Sequence, residues 1–155
     1  MECKRKGDEM KLPCMVICFN KEMSNKLSTG IKCAFSAHAS MQFEAMSNLE
    51  NKYGEFFPPN SQSWSNDYFK WRNADYRKLV MTSDKSIDEL FDEFKKAEVP
   101  VYMQKTSHDI KKDISQTGYV SVDYYKPYKS GTPICISVFL WKDEHKKLLD
   151  GMELM

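Results

Sequence analysis

A few side chains in this 155-residue chain have types and settings suited to chemistry. His38 stands in Phe35-Ser36-Ala37-His38-Ala39-Ser40, on a stripe that is otherwise apolar. An imidazole titrates near neutral pH and can take a proton. Thr132 opens a strongly apolar run in Ser130-Gly131-Thr132-Pro133 and offers a hydroxyl donor. Lys26 or Lys32 could supply positive charge for a phosphate or an oxyanion. Lys105 leads into Thr106-Ser107-His108-Asp109, where the carboxylate could orient the imidazole. Each residue also has a plainer reading. His38 fits a core-edge histidine bonded to a backbone carbonyl, and Thr132 suits the start of a strand. His108 and Asp109 fit solvated or helix-capping neighbours. His145, in Lys142-Asp143-Glu144-His145-Lys146-Lys147, reads as a solvated helix face.

Several classes of chemistry are disfavoured. The three histidines are not at metal-ligand spacing, so no metal is expected. No phosphate-binding glycine loop, no G-x-S-x-G and no dinucleotide fingerprint occurs, and no cofactor is expected. The five cysteines include no C-x-x-C pair. Cys14 and Cys18 share one apolar run, where a strand would hold them ~13 Å apart, too far for a disulfide. They read as buried free thiols in a reducing compartment. A net charge of +1 argues against a non-specific grip on polyphosphate. No apolar run approaches the ~20 residues that span a bilayer. The expected location is cytoplasmic, with no membrane partner.

The elements that must position these groups follow from periodicity. Residues 1–12 read as a flexible arm, and 13–155 as a single domain. Cys14-Met15-Val16-Ile17-Cys18-Phe19 is a continuous apolar run, as in a strand covered on both faces. Asn20 to Asn25 reads as a loop. From about Lys26, the residues Leu27, Ile31, Ala34, Phe35, His38, Met41, Ala45 and Met46 recur at helical spacing. Residues 48–75 mix aromatics with Asn, Ser and Pro and have no clean period. They predict an irregular excursion packing its own aromatics over the sheet, with a short helix around Asp67 to Arg72; a lid or a base-stacking surface is the functional alternative.

Tyr76 to Thr82 predicts a second strand. Ser86 with Glu89 predicts a capped helix whose buried stripe is Ile87, Leu90, Phe91 and Phe94. Val99 to Met103 is a third strand, and Tyr119 to Tyr125 alternates as in a hairpin arm. Pro133 to Leu140 is the strongest strand signal, followed by a short helix over Asp143 to Leu149 and an apolar tail that could dock on the sheet. The alternation predicts an α/β fold: three layers, α/β/α, around a central mixed sheet of about four strands.

That order, with the text inside it, resembles peptidyl-tRNA hydrolase II, the archaeal and eukaryotic type. The matching text is Met15-Val16-Ile17-Cys18-Phe19, Met23-Ser24, the helix ending Phe35-Ser36-Ala37-His38-Ala39-Ser40, Lys78-Leu79-Val80-Met81, Val99-Pro100-Val101 and Ser130-Gly131-Thr132. Residues 48–75 and 107–128 look like insertions. Ile31 and Phe35 stand where the family has a lysine and a glutamine, and Lys105 stands in place of its aspartate. The resemblance implies hydrolysis of the ester joining a peptide to the terminal ribose of tRNA. His38, Thr132 and Lys32 would be the catalytic groups, and Lys26, Lys105, Thr106, His108 and Asp109 would contact substrate. It also implies a homodimer. Two alternatives stay open. A relative of the same fold could bind tRNA, or another nucleotide-bearing ligand, without cleaving it; Lys26, Lys32, Arg72, Arg77 and Lys105 would contact phosphates, and Trp64 or Trp71 would stack. A protein-interaction module would instead use the aromatic segment and residues 119–125.

Overall fold

The computed structural model describes residues 11–46, 55–58, 62–74, 76–105 and 131–155. Thr106, His108, Asp109 and the 119–125 alternation lie outside the described residues, as does most of the 1–12 arm. The sheet is built on β1 (Cys14–Asn20), β3 (Lys78–Ser83), β4 (Val101–Lys105) and β5 (Pro133–Leu140). β1 runs parallel to β3 and antiparallel to β5, and β4 runs antiparallel to β5. Two two-residue strands, β2 (Glu55–Phe56) and β6 (Glu153–Leu154), complete the order β2-β4-β5-β1-β3-β6. About four strands were expected; the sheet has more, because two two-residue strands flank the four long ones. The short edges escape sequence reading because two residues carry no period.

The apolar run of β1 is buried on both faces. Cys14, Val16 and Cys18 point to one side and pack with Leu90, Phe94, Val101, Ile136 and Leu140. Ile17 and Phe19 point to the other, with Leu27, Ile31 and Ala39. Burying each such aliphatic or aromatic side chain contributes about 1.5–3 kcal/mol. Helices therefore cover both faces, as the three-layer expectation required. α2 (Thr29–Met46) and α3 (Gln62–Asn73) lie on one side; α4 (Ile87–Lys96) and a 3₁₀ helix (Asp143–Leu149) lie on the other.

The capping signal at α4 is realised: the Ser86 hydroxyl accepts the Glu89 backbone N–H at 3.2 Å. Such a cap stabilises by about 1 kcal/mol. Ile87, Leu90 and Phe94 are buried, while Asp88, Asp92, Lys95 and Lys96 face water. Lys95 and Lys96 sit in the last turn, where the helix dipole favours cations.

Four expectations need correction. Asn20 to Asn25 is not a loop. Asn20 caps a short helix, α1 (Lys21–Lys26), by accepting the Met23 N–H at 3.0 Å. The side of α2 that meets the sheet carries Ile31, Ala39, Ser40 and Phe43, with Phe35 half-buried; Ala34, His38 and Met41 are exposed. His38 therefore does not lie on the buried stripe, either as a core-edge residue or as a buried base. The short helix expected around Asp67 to Arg72 is longer, running from Gln62 to Asn73, and its Trp64 and Trp71 are buried. They pack with Phe43, Phe57, Tyr68 and Phe139, so neither ring is open to a base. Finally, His145 is buried, with only 4% exposure. Its Nδ1 accepts the backbone N–H groups of Trp141 and Lys142, each at 3.3 Å.

The C-terminal tail docks as expected. The Met155 N–H donates to the Val80 carbonyl at 3.0 Å, beside the β3–β6 pairing.

Candidate functional site

Strand directions gather one set of chain ends at a single rim of the sheet. β1 ends there at Asn20, β3 at Ser83 and β4 at Lys105, and β5 begins there after Thr132. The pairings Phe19 with Cys135 and Lys105 with Pro133 fix this placement. In mixed α/β sheets, ligands commonly bind beyond such strand ends.

Two contacts set the height of α2 against this rim. The Cys135 thiol donates to the Phe35 carbonyl at 3.9 Å, and the Ser137 hydroxyl donates to the Ala39 carbonyl at 3.0 Å. The helix therefore runs in the same direction as β5. Thr132 lies three residues before Cys135 and His38 lies one turn past Phe35, so the two are separated by roughly 14 Å along the strand. Lys32 lies almost one turn before Phe35, so its offset from Thr132 on the same axis is only about 5 Å. The structure thus brings Lys32, Thr132 and Lys105 to one rim, with Lys26 at the end of α1 just before α2. It does not bring His38 to them.

The rim is polar. Ser24, Thr82 and Ser83 are buried there. The Ser83 hydroxyl accepts the Lys85 N–H at 3.2 Å, and the Asn20 amide donates to the Lys85 carbonyl at 3.0 Å. The Ser28 hydroxyl accepts the Ile31 N–H at 3.3 Å and organises the first turn of α2. Gln104, a residue the sequence did not single out, pairs with Cys135 across the sheet. Its Nε2 donates to the Lys105 carbonyl at 2.8 Å, while its buried Oε1 has no hydrogen-bond partner. A buried acceptor without a donor costs about 1–3 kcal/mol. Nothing in the primary text distinguishes Gln104 from an ordinary strand-end glutamine.

Charge is unevenly available at the rim. Lys26 lies 3.5 Å from Glu22, Lys21 lies 3.6 Å from Glu153, and Lys85 lies 2.6 Å from Glu93. Lys32 has no carboxylate partner among the described residues. Exposed ion pairs of this kind contribute about 0–1 kcal/mol, so a phosphate can compete for them.

The buried thiols are poor nucleophiles. Cys14, Cys18 and Cys135 are free and buried. Burial pushes the Cys18 thiol up to about 12 and raises that of Cys135 as well. Among the described residues, no group of three or more His, Cys, Asp or Glu could hold a metal ion, and no helix is long and apolar enough to cross a membrane. No protein-family model matches the chain, and no curated protein matches it.

Proposed function

We propose that this protein is a peptidyl-tRNA hydrolase II-like fold that binds tRNA, or another nucleotide-bearing ligand, at the strand-end rim without cleaving it. The observation that carries this reading is the spacing along α2. Lys32 stands about 5 Å from Thr132 along the strand, whereas His38 stands roughly 14 Å away and is exposed. Ester hydrolysis needs a base within about 3 Å of the water it deprotonates, next to the oxyanion donors. A base placed at His38 cannot serve a carbonyl held at Thr132. Binding needs less: a cation for phosphate, hydroxyls for the ribose, and an acceptor for an exocyclic amine or a sugar hydroxyl. Lys32, Thr132 and the unpartnered Gln104 Oε1 offer these in turn. The order of strands and helices that carried the family resemblance also supports the fold half of the reading.

The reading is tested by equilibrium binding of an N-acylated aminoacyl-tRNA. Affinity is expected to fall steeply between 50 and 200 mM salt, because binding releases counterions from the phosphates. Lys32→Ala is expected to weaken the complex several-fold at low salt, and Gln104→Leu to weaken it in a salt-independent way. Binding that ignores both substitutions would refute the placement at this rim.

A further inference from the structure

Gln104 narrows the class of ligand at the rim, and what it implies rests on the rim reading above. Strand alternation sets which way its side chain points. Val101 and Met103 join the core on the α4 side, so Gln104 points to the α2 side. Its cross-strand partner Cys135 points the same way, since the Cys135 thiol meets the Phe35 carbonyl of α2. Gln104 is half-buried and stands one residue before the end of β4. Lys32 lies about one turn nearer the open rim than Phe35.

Chemistry settles which way the amide is turned. A carbonyl only accepts, so the Gln104 atom 2.8 Å from the Lys105 carbonyl is the donor Nε2. That leaves Oε1, a buried acceptor with no donor. Two donors of this region are engaged elsewhere: the Cys135 thiol with the Phe35 carbonyl, and the Ser36 hydroxyl with the Lys32 carbonyl at 2.8 Å. A ligand must therefore bring a hydrogen to this oxygen. A phosphodiester has none to bring. A ribose edge would carry a second hydroxyl in among Ile31, Phe35 and Ile134, where nothing is shown to satisfy it. An exocyclic amine on a flat base suits both the oxygen and the apolar surroundings. In adenine that amine lies at the far edge of the purine from the sugar, so it reaches inward while the phosphate stays at the open rim. Guanine puts a carbonyl oxygen at the same place, acceptor against acceptor.

We propose that the rim selects an adenine nucleotide, whose exocyclic amine donates to Gln104 Oε1 while Lys32 holds its phosphate. Gln104 is then the specificity-determining residue of the site. Its oxygen goes unsatisfied in the unbound protein, and the ligand supplies the missing donor.

The test is calorimetric titration of the full chain, at low salt, with the 5′-monophosphates of adenosine, purine riboside and guanosine. The adenosine nucleotide is expected to bind roughly ten-fold more tightly than the purine riboside nucleotide, which lacks only the amine, and guanosine monophosphate more weakly than either. Gln104→Leu is expected to erase the preference for the amine, and Gln104→Met, closer in length, to do the same. Lys32→Ala is expected to weaken all three ligands and to keep the preference. Gln104→Leu is also expected to hold or raise the thermal midpoint, because it removes an unsatisfied buried oxygen; a glutamine with a purely structural role would lower it. Lys32-dependent binding that treats the adenosine and purine riboside nucleotides alike overturns the adenine assignment and leaves the rim reading standing. A preference that survives both Gln104 substitutions overturns it as well. So does failure of all three nucleotides to bind, and the tRNA titration then decides the rim reading on its own.

Discussion

Trp71→Ala is expected to lower the free energy of unfolding by about 3–5 kcal/mol, read as a shift of the urea midpoint at constant slope. Trp71 is 1% exposed and sits where α3 meets the sheet. Its ring lies 5.4 Å from that of Tyr68, 5.6 Å from that of Phe139 and 4.4 Å from that of Tyr76. Its indole N–H donates to the Arg77 carbonyl at 2.6 Å, the same carbonyl that accepts the Met15 N–H at 3.1 Å. Truncation would leave a cavity at the junction of α3, β1 and β5. It would also loosen Tyr76, a non-glycine residue at φ 56, which the stacking and the Glu44 hydrogen bond hold in the left-handed region. A domain of ordinary stability, about 5–15 kcal/mol, would be left close to unfolding. Trp71→Phe keeps most ring contacts and is expected to lose much less. A loss below about 1 kcal/mol for the alanine variant would show that the aromatic segment is not part of the core.

The second large effect is set by pH. His145 has its pKa pushed down from 6.5 to about 4, chiefly by burial, with Lys142 adding to the shift and Glu144 opposing it. The bonding also favours the neutral ring: Nδ1 accepts two backbone N–H groups and cannot do so once protonated. Trp141 packs edge-to-face on the ring at 4.5 Å. The folded pKa is below the unfolded one, so the unfolded chain binds the proton first. The stability His145 contributes is therefore complete above about pH 6.5 and is lost as pH falls toward about 4. The full loss is on the order of 3 kcal/mol. His145→Asn keeps an acceptor near the same place without a titrating ring. It is expected to flatten the stability profile between pH 6.5 and 4, leaving only the slope due to carboxylates. An unchanged slope in that variant would mean that His145 is not the group responsible.

The parts of the fold that were legible are those where one physical signal acts alone. β1 and β5 are continuous apolar runs because both faces of the sheet are covered, and α4 shows its cap, stripe and charged face together. α2 misled because it is nearly uncharged all round. Ala34, Ala37 and Met41 on the open side match Ala39 and Phe43 on the buried side, so spacing alone could not fix which face meets the sheet. That ambiguity put His38 on the wrong stripe. His145 was hidden by its charged flanks; its burial follows from a 3₁₀ turn folding back on Trp141, which no local pattern announces. α1 looked like a loop because its cap, Asn20, is also the last residue of a strand. At the rim, Thr132 and Lys32 were legible as chemistry. Gln104 was not, since its unpartnered oxygen is a product of packing.

The most direct measurement is single-turnover hydrolysis of an N-acylated aminoacyl-tRNA with the protein in excess, followed by release of the acylated amino acid. Binding without cleavage predicts a rate equal to that of the substrate in buffer, and no change on His38→Ala. A protein-dependent rate that His38→Ala removes would contradict the account, because it would require the imidazole to reach a carbonyl held at Thr132, roughly 14 Å away along the strand.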